Sequence, residues 1–189
     1  MSEGSDSVAY VGDLLTFAPS QGSVLTLRPG SRCGLRRGTS ATSWYELGCR
    51  LEATEPARAI AAYERAAAGC PGFADAHNNL GRLLHDAGSP GSPGAAESSY
   101  RLAICADPGV ALYWFNLGVA VEDQGRCPEA IAAYERAIEL SADAADAHYN
   151  LARLLELTAR RAGDELMLRR AVRHLLRYRE LTRRNAHAH

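Results

Sequence analysis

The feature that most constrains the fold is a short pattern that returns four times along the chain. A tryptophan or histidine is followed three residues later by leucine, and then by glycine or alanine. The copies are Trp44–Gly48, His77–Gly81, Trp114–Gly118 and His148–Ala152. A spacing of about 34 residues is typical of repeat proteins, in which each unit buries its apolar face only against its neighbours. The chain is therefore predicted to be a stack of similar units.

A second, alanine-rich module follows each of the first three copies. It places a tyrosine between two alanines on one helix face, at Ala59–Tyr63–Ala66, Ala96–Tyr100–Ala103 and Ala130–Tyr134–Ala137. Together the two modules resemble the tetratricopeptide signature, W-x2-L-G-x2-Y, then A-x3-F, then P, with a period of about 34 residues. The resemblance implies pairs of helices. In each pair the glycine permits a close crossing, the alanines let the second helix nest, and the tyrosine fills the space between.

Proline and glycine mark the ends of the predicted helices. Pro56 and Pro128 stand where first helical residues are expected, and Gly88 and Gly125 stand where helices should stop. The predicted helices span residues 43–53, 56–69, 74–87, 95–106, 111–124, 128–140, 145–161 and 165–184.

Two further local signals concern the first helix and the longest repeat interval. Ser43 and Glu46 are predicted to form a capping box at the start of the first helix. Residues 89–94, Ser-Pro-Gly-Ser-Pro-Gly, are interpreted as a loop that contains a short insertion. This insertion explains why the second and third copies of the pattern lie farthest apart.

The last predicted helix departs from the family pattern because it lacks the alanine module. Its apolar residues at helical spacing are Leu168, Ala171, Val172, Leu175 and Tyr178. Its other face carries Arg169, Arg173, Arg177 and Arg184. A solenoid needs an end helix with one apolar and one polar face, so we interpret this helix as a solvated cap. A basic patch for nucleic acid or acidic lipid is the alternative, although no aromatic residues interleave these arginines to stack on bases.

The predicted fold class is all-α: a right-handed tetratricopeptide helical solenoid of three repeats plus divergent capping helices, preceded by a short strand-rich N-terminal arm. The arm is predicted from three short apolar runs, Val8–Val11, Leu14–Phe17 and Val24–Leu27, which turn residues separate. The predicted boundaries are 1–42 for the arm, 43–73, 74–110 and 111–144 for the repeats, 145–184 for the cap and 185–189 for a tail.

The amino-acid sequences of the repeats show a narrower resemblance to one group of proteins. The segments ADAHNNLGRLLHDAG, WFNLGVAVEDQGR and RHLLRYREL resemble the tetratricopeptide half of bacterial MerR-type regulators. DLLTFAPSQGSVLTL resembles the linker that joins those repeats to a winged helix-turn-helix domain. The segment before the repeats is too short to hold such a domain, so DNA binding is not carried over. This resemblance and the alanine- and arginine-rich composition lead us to expect a bacterial source.

Charge and composition narrow the function classes. The chain has 21 basic residues, all arginine, and 22 acidic ones, and its net charge of −1 argues against a general nucleic-acid binder. Residues 43–157 carry −8, whereas residues 158–189 carry +6. No apolar run reaches the ~18 residues of a membrane-spanning helix. The five cysteines contain no CxxC pair, so we expect a reduced, cytoplasmic protein.

Sequence motifs of catalysis are missing. There is no GxxxxGK[ST], HExxH or GxSxG motif, and the chain contains no lysine for a P-loop. His77 and His148 occupy the repeat position of Trp44 and Trp114, so we interpret them as packing residues. We therefore expect no enzyme, no cofactor and no metal site.

In tetratricopeptide proteins the first helix of each pair lines a concave groove. By that resemblance the groove residues are Tyr45, Asn78, Asn79, Arg82, His85, Phe115, Asn116, Val119, Glu122, Tyr149, Asn150 and Arg153. An amide can both donate and accept, which suits the backbone of an extended peptide, and helix-to-helix bonding is the alternative role for the asparagines. The clamp that holds chaperone tails is incomplete here. Asn79 fits it, but Tyr45, Cys49, Leu112 and Asn116 stand at the other positions.

These observations predict a non-enzymatic adaptor or scaffold that binds a peptide segment of another protein in the concave groove. The expected segment has an apolar anchor and some acidic character. One alternative is the sensing or oligomerising half of a MerR-like regulator that acts with a separate DNA-binding partner. Another is nucleic-acid binding through the arginine-rich last helix, which we do not expect. No membrane partner is expected, and self-association stays open.

Overall fold

The computed structural model describes residues 40–88 and 92–186, and every regular element in these residues is an α-helix. The helices are α1 (Ala41–Leu51), α2 (Pro56–Gly69), α3 (Ala74–Asp86), α4 (Ser92–Ala106), α5 (Ala111–Asp123), α6 (Cys127–Leu140), α7 (Ala145–Ala162) and α8 (Glu165–Ala186). The all-helical prediction is confirmed for this part of the chain. The predicted strand-rich arm lies outside the described residues except for residues 40–42, which cap and begin α1.

The helix ends follow the proline and glycine signals closely. Pro56 and Pro128 lie in the first turns of α2 and α6, where a missing N–H costs no intrahelical bond. Gly88 and Gly125 follow α3 and α5 with φ of 60° and 75°, a left-handed conformation that glycine adopts without strain.

Two details of the predicted helix starts are wrong. The cap of α1 is Ser40, not Ser43, because the Ser40 hydroxyl accepts the Ser43 backbone N–H at 3.1 Å and the helix starts earlier. Helix α4 begins at Ser92, so Pro93 and Gly94 lie in its first turn and not in the predicted loop. Proline is tolerated here for the same reason as in the first turns of α2 and α6.

The helices form four successive pairs, and each helix packs mainly on the helices before and after it in the chain. The crossings within the first three pairs depend on glycine. A Cβ atom added at Gly48, Gly81 or Gly118 would lie 2.6, 2.8 or 2.6 Å from the ring of Tyr63, Tyr100 or Tyr134, respectively. No real Cβ makes such a contact, so the predicted close crossing with tyrosine as filler is confirmed.

The alanines of the second module are the other half of this packing. Ala59, Ala66, Ala96, Ala103, Ala130 and Ala137 are all fully buried. Their small side chains let each second helix approach its first helix, as the sequence predicted. None of the described helices is long and apolar enough to cross a membrane.

Candidate partner-binding surface on the first helices

The twelve predicted groove residues lie on α1, α3, α5 and α7, the first helices of the four pairs. They occupy equivalent turns, so the repeat brings them to one side of the stack. Tyr45 and Asn78 are buried there, whereas Tyr149 and Arg153 are exposed and the other eight are partly buried. Their contacts show which of them have surface left for a partner.

A polar network joins the first pair to α3. The Tyr63 hydroxyl donates to Glu52 Oε1 and accepts from Asn79 Nδ2 at 3.3 Å. Glu52 Oε2 in turn pairs with Arg82 Nη2 at 2.5 Å. Burial raises the pKa of the Tyr63 hydroxyl above its ordinary range, and the bonds to Cys49 and Glu52 raise it further, so this group stays a donor.

The same network recurs between the third pair and α7. The Tyr134 hydroxyl donates to Glu122 Oε2 at 2.9 Å, and Asn150 also bonds to it. Glu122 Oε1 pairs with Arg153 Nη2. Tyrosine, glutamate, asparagine and arginine therefore occupy the same four repeat positions at both junctions.

The junction between the second pair and α5 lacks this network. His85 stands at the glutamate position and Val119 at the arginine position, so both charged members are replaced together. His85 Nε2 instead contacts Asp123 Oδ2 at 2.7 Å. Asn116 Nδ2 donates to Asn78 Oδ1 at 2.8 Å, which joins α5 to α3. The centre of the surface therefore carries no glutamate–arginine pair.

The asparagines take the helix-to-helix role that the sequence left open. Asn79 bonds to Tyr45 and Tyr63, Asn116 to Asn78, and Asn150 to Tyr134. Their amides are therefore partly used inside the stack. An incoming peptide would have only the remaining donor and acceptor capacity of each amide.

An apolar patch lies beside these polar contacts. Phe115 packs on Tyr134 with ring centroids 5.8 Å apart, and Val119 follows it one turn later on α5. Tyr149 on α7 is exposed and packs on Tyr178 at 5.1 Å. We call Phe115, Val119 and Tyr149 the apolar patch. The ion pair of Glu122 and Arg153 joins the same two helices, so an apolar side chain could bind next to charge.

The histidines at the tryptophan position have a specific bonding role. His77 Nε2 lies 2.9 Å from the Pro71 carbonyl oxygen and His148 Nε2 lies 3.3 Å from that of Ala142. Trp114 Nε1 donates to the Pro108 carbonyl oxygen at 3.0 Å. All three contacts reach back to the preceding turn, because indole and imidazole both present an N–H there. This refines the prediction that these histidines pack in the tryptophan position.

The sequence analysis did not predict the ion pairs and hydrogen bonds that the groove residues form with other helices. Each contact joins positions roughly one repeat apart: Glu52 with Arg82, Glu122 with Arg153, and His85 with Asp123. Opposite charges at this separation were the available signal. No group of three or more histidine, cysteine or carboxylate side chains that could hold a metal occurs in residues 40–88 and 92–186.

Comparisons with known proteins agree with this architecture. A family model described as a tetratricopeptide repeat matches residues 50–111, and one described as a TPR repeat matches residues 123–157. No curated protein sequence matches the chain. None of these matches bears on the MerR-type regulators.

Solved structures match the chain at low identity and therefore show its fold. A crystal structure of MamA superposes with a TM-score of 0.68 at 20% identity, covering 77% of this chain and 80% of that one. MamA from Desulfovibrio magneticus RS-1 gives 0.63 at 20% identity, with 77% of each chain covered. The first TPR of Spaghetti (RPAP3), bound to the HSP90 peptide SRMEEVD, gives 0.60 at 20% identity and covers 64% of this chain and 94% of that one.

Proposed function

The chain is a tetratricopeptide-repeat protein, and on that premise we propose that it binds a peptide segment of another protein along α1, α3, α5 and α7. Tetratricopeptide repeats are generally protein–protein interaction modules, and the proposal involves no reaction. The role is that of a cytoplasmic bacterial adaptor or scaffold. The Spaghetti domain was solved with a peptide bound, which supports peptide binding by this kind of fold.

The observation that carries the proposal is the change of chemistry at the middle junction. The first and third junctions carry a glutamate–arginine pair, whereas the second carries His85 and Val119. Val119 and Phe115, two partly exposed members of the apolar patch, therefore lie between two junctions that each carry an ion pair. A partner with an apolar side chain at its centre and charged groups on either side would match this order.

The ion pairs bear on the charge of the partner. Arg82 and Arg153 are 40% and 50% exposed, so each can donate to a carboxylate of a partner besides its own glutamate, although Arg82 also lies 3.7 Å from Asp86 Oδ2. The glutamates of the two pairs are only 26% and 14% exposed. Within these two pairs the arginine is therefore the more exposed partner, which favours a peptide with some acidic character at these two positions. The incomplete clamp does not favour chaperone tails, because only Asn79 fits it, and Asn79 is also bonded to Tyr45 and Tyr63.

The experiment is a pull-down from the source cell with three baits, followed by titration calorimetry of the recovered partner. The Val119→Glu bait should recover none of the partner, because the substitution puts a carboxylate into the apolar patch. Arg153→Glu should weaken binding tenfold or more. Arg136→Glu is the control, since Arg136 is 46% exposed, close to the 50% of Arg153, and is also ion-paired, although its partner Glu139 lies on the same helix.

Val119 packs against the core and Arg153 is paired with Glu122, so these two substitutions can also lower the melting temperature. Val119→Thr and Arg153→Gln, which introduce no carboxylate, are therefore measured beside them, and they should weaken binding while the melting temperature stays close to that of the wild type. If Arg136→Glu weakens binding while Val119→Glu and Arg153→Glu do not, the partner lies on another face and the proposal is wrong.

The finer hypothesis of a sensing or oligomerising half of a MerR-like regulator depends on sequence resemblance alone. It predicts a separately encoded DNA-binding protein in the gene neighbourhood and among the proteins that the Val119→Glu bait loses.

A further inference from the structure

Helix α8 presents an apolar stripe that no described residue covers. Leu168, Val172, Leu175 and Leu176 are between 39% and 58% exposed, and their spacing places them along one side of the helix. Ala171 and Leu181, on the neighbouring side, are 3% exposed. The helix is therefore apolar over two adjacent sides, and only one of them is buried. A solvated cap, the role predicted from the sequence, needs a polar outer side.

The earlier pairs show what kind of element covers this side. Leu168 and Ala171 lie one repeat interval after Tyr134 and Ala137, and Ala171 is buried as Ala137 is. The equivalent tyrosines of the first three pairs are at most 3% exposed, whereas Leu168 is 39% exposed.

Part of the difference comes from the next helix in the stack. Helix α3 packs on α2, α5 on α4 and α7 on α6. Asn79 of α3 reaches the Tyr63 hydroxyl of α2, and Asn150 of α7 reaches the Tyr134 hydroxyl of α6. Leu168 and Val172 of α8 lie one repeat interval after Tyr134 and Ile138, so this part of the stripe occupies the same place and the element that fits it is another helix.

The positive charge of α8 indicates which charge the covering helix should carry. Helix α8 contains seven arginines and two glutamates, a net charge of +5. Arg170 pairs with Glu135 and Arg177 with Glu180. Arg173 and Arg179 are exposed and form no ion pair with any described carboxylate. A second basic surface beside the stripe would be repelled, whereas carboxylates would be attracted.

We propose that the stripe of Leu168, Val172, Leu175 and Leu176 binds an acidic amphipathic helix of another protein. Its apolar residues would pack on the stripe, and its glutamates or aspartates would pair with Arg173 and Arg179. The covering helices α3 and α5 have 13 residues each, which sets the minimum length of the partner helix. This surface is separate from the groove on the first helices, and neither proposal depends on the other.

The test is fluorescence anisotropy of a labelled synthetic peptide with the full chain. The peptide has 22 residues, the length of α8, with leucines along one side and glutamates on either side of them. A scrambled peptide of identical composition has the same charge but no apolar side. We expect the amphipathic peptide to bind at least tenfold more tightly than the scrambled one.

Two sets of variants separate the apolar and the charged contacts. Val172→Asp and the double variant Arg173→Glu/Arg179→Glu should each weaken binding tenfold or more. Leu102→Asp is the matched control for the first, because Leu102 is 51% exposed on α4, and it should bind like the wild type. Arg136→Glu is the control for the second.

Four results overturn the proposal. The first is equal or undetectable binding of the two peptides. The second is a dimer of the wild-type chain in analytical ultracentrifugation that Val172→Asp dissociates, since the occupant would then be a second copy. The third is Val172-dependent co-sedimentation with vesicles of phosphatidylcholine and phosphatidylglycerol when the peptide does not bind. The fourth is salt-sensitive binding of duplex DNA that needs the arginines but not Val172.

Discussion

The first and third helix pairs are joined to the helix that follows them by the same network, whereas the second pair is joined differently. At the two outer junctions a buried tyrosine bonds to a glutamate that pairs with an arginine of the next helix. At the middle junction His85 contacts Asp123, and Asn116 bonds to Asn78. Packing of glycine against tyrosine is nevertheless the same in all three pairs.

This difference shows which contacts the stack of helices requires and which can be replaced. The glycine crossing cannot change without a steric clash against the tyrosine, and it recurs in each of the first three pairs. The polar network can be replaced, because other contacts, His85 with Asp123 and Asn116 with Asn78, are made at the middle junction. Positions that are free to vary in this way are where a repeat protein can acquire a surface for one partner. In this chain they include Val119, the centre of the proposed binding surface.

The largest expected effect is at the crossing that all three pairs share. Gly81→Val would place Cβ 2.8 Å from the Tyr100 ring, so we expect a loss of about 1–3 kcal/mol in the free energy of unfolding. Gly72→Ala, where an added Cβ meets nothing within 4 Å, should change it by less than about 0.5 kcal/mol. Urea denaturation followed by circular dichroism measures both. Equal stabilities would show that the crossing is not a shared requirement.

A smaller effect is expected from removing the tyrosine hydroxyl at an outer and at the middle junction. Tyr134→Phe deprives Glu122 of a donor at 2.9 Å, whereas Tyr100 has His85 at the position of that glutamate. Tyr134→Phe should therefore cost about 1–2 kcal/mol more than Tyr100→Phe. The same denaturation curves decide this. Equal costs would remove the contrast between the junctions.

The stability of the fourth helix pair should depend on pH, because two histidines of α7 and α8 contact each other there. His148 Nδ1 and His174 Nδ1 lie 2.9 Å apart, so one nitrogen must accept the proton of the other. Burial lowers the pKa of both rings, and for His174 the value falls from 6.5 to about 4, with the His148 charge adding to the effect. The unfolded chain binds these protons more readily, so the stabilising contribution is complete above about pH 6.5 and is lost as the pH falls towards 4.

Lowering the pH from 7 to 5 should therefore destabilise the wild type, by less than about 1 kcal/mol because both rings are partly screened by solvent. His174→Gln should reduce this pH dependence, and Arg136→Gln should not. Melting curves at several pH values measure it. An identical slope for wild type and His174→Gln would contradict the prediction.

The smallest expected effect is the coupling within an outer ion pair. In a double-mutant cycle of Glu122→Gln and Arg153→Gln, we expect about 0.5 kcal/mol or less, falling further at high salt. A cycle of His85→Gln and Val119→Gln at the middle junction should give no coupling. Coupling of equal size in the two cycles would mean that the middle junction is not electrostatically different.

Much of the fold could be predicted because it depends on residues close together in the sequence. The spacing of Trp44, Gly48 and Tyr63 and its later copies predicted the helix pairs and their crossings. The proline and glycine signals predicted most helix ends, because they act within one turn. The predicted start of α1 was wrong because Ser40 and Ser43 are both suitable N-cap residues. Only the observed hydrogen bond from the Ser43 backbone N–H to the Ser40 hydroxyl shows which of them caps the helix.

The candidate surface was predictable as a set of repeat positions, but its chemistry was not. The sequence by itself determined that Asn79, Asn116 and Asn150 recur at one position and that α8 is amphipathic and basic. Only the tertiary structure decided that these amides bond between helices, that Glu52 and Glu122 bond to buried tyrosines, and that one apolar side of α8 stays uncovered. The physical reason is distance along the chain. Periodicity is a local property, whereas these contacts join side chains from different helices, and whether a side is covered depends on which helix packs there.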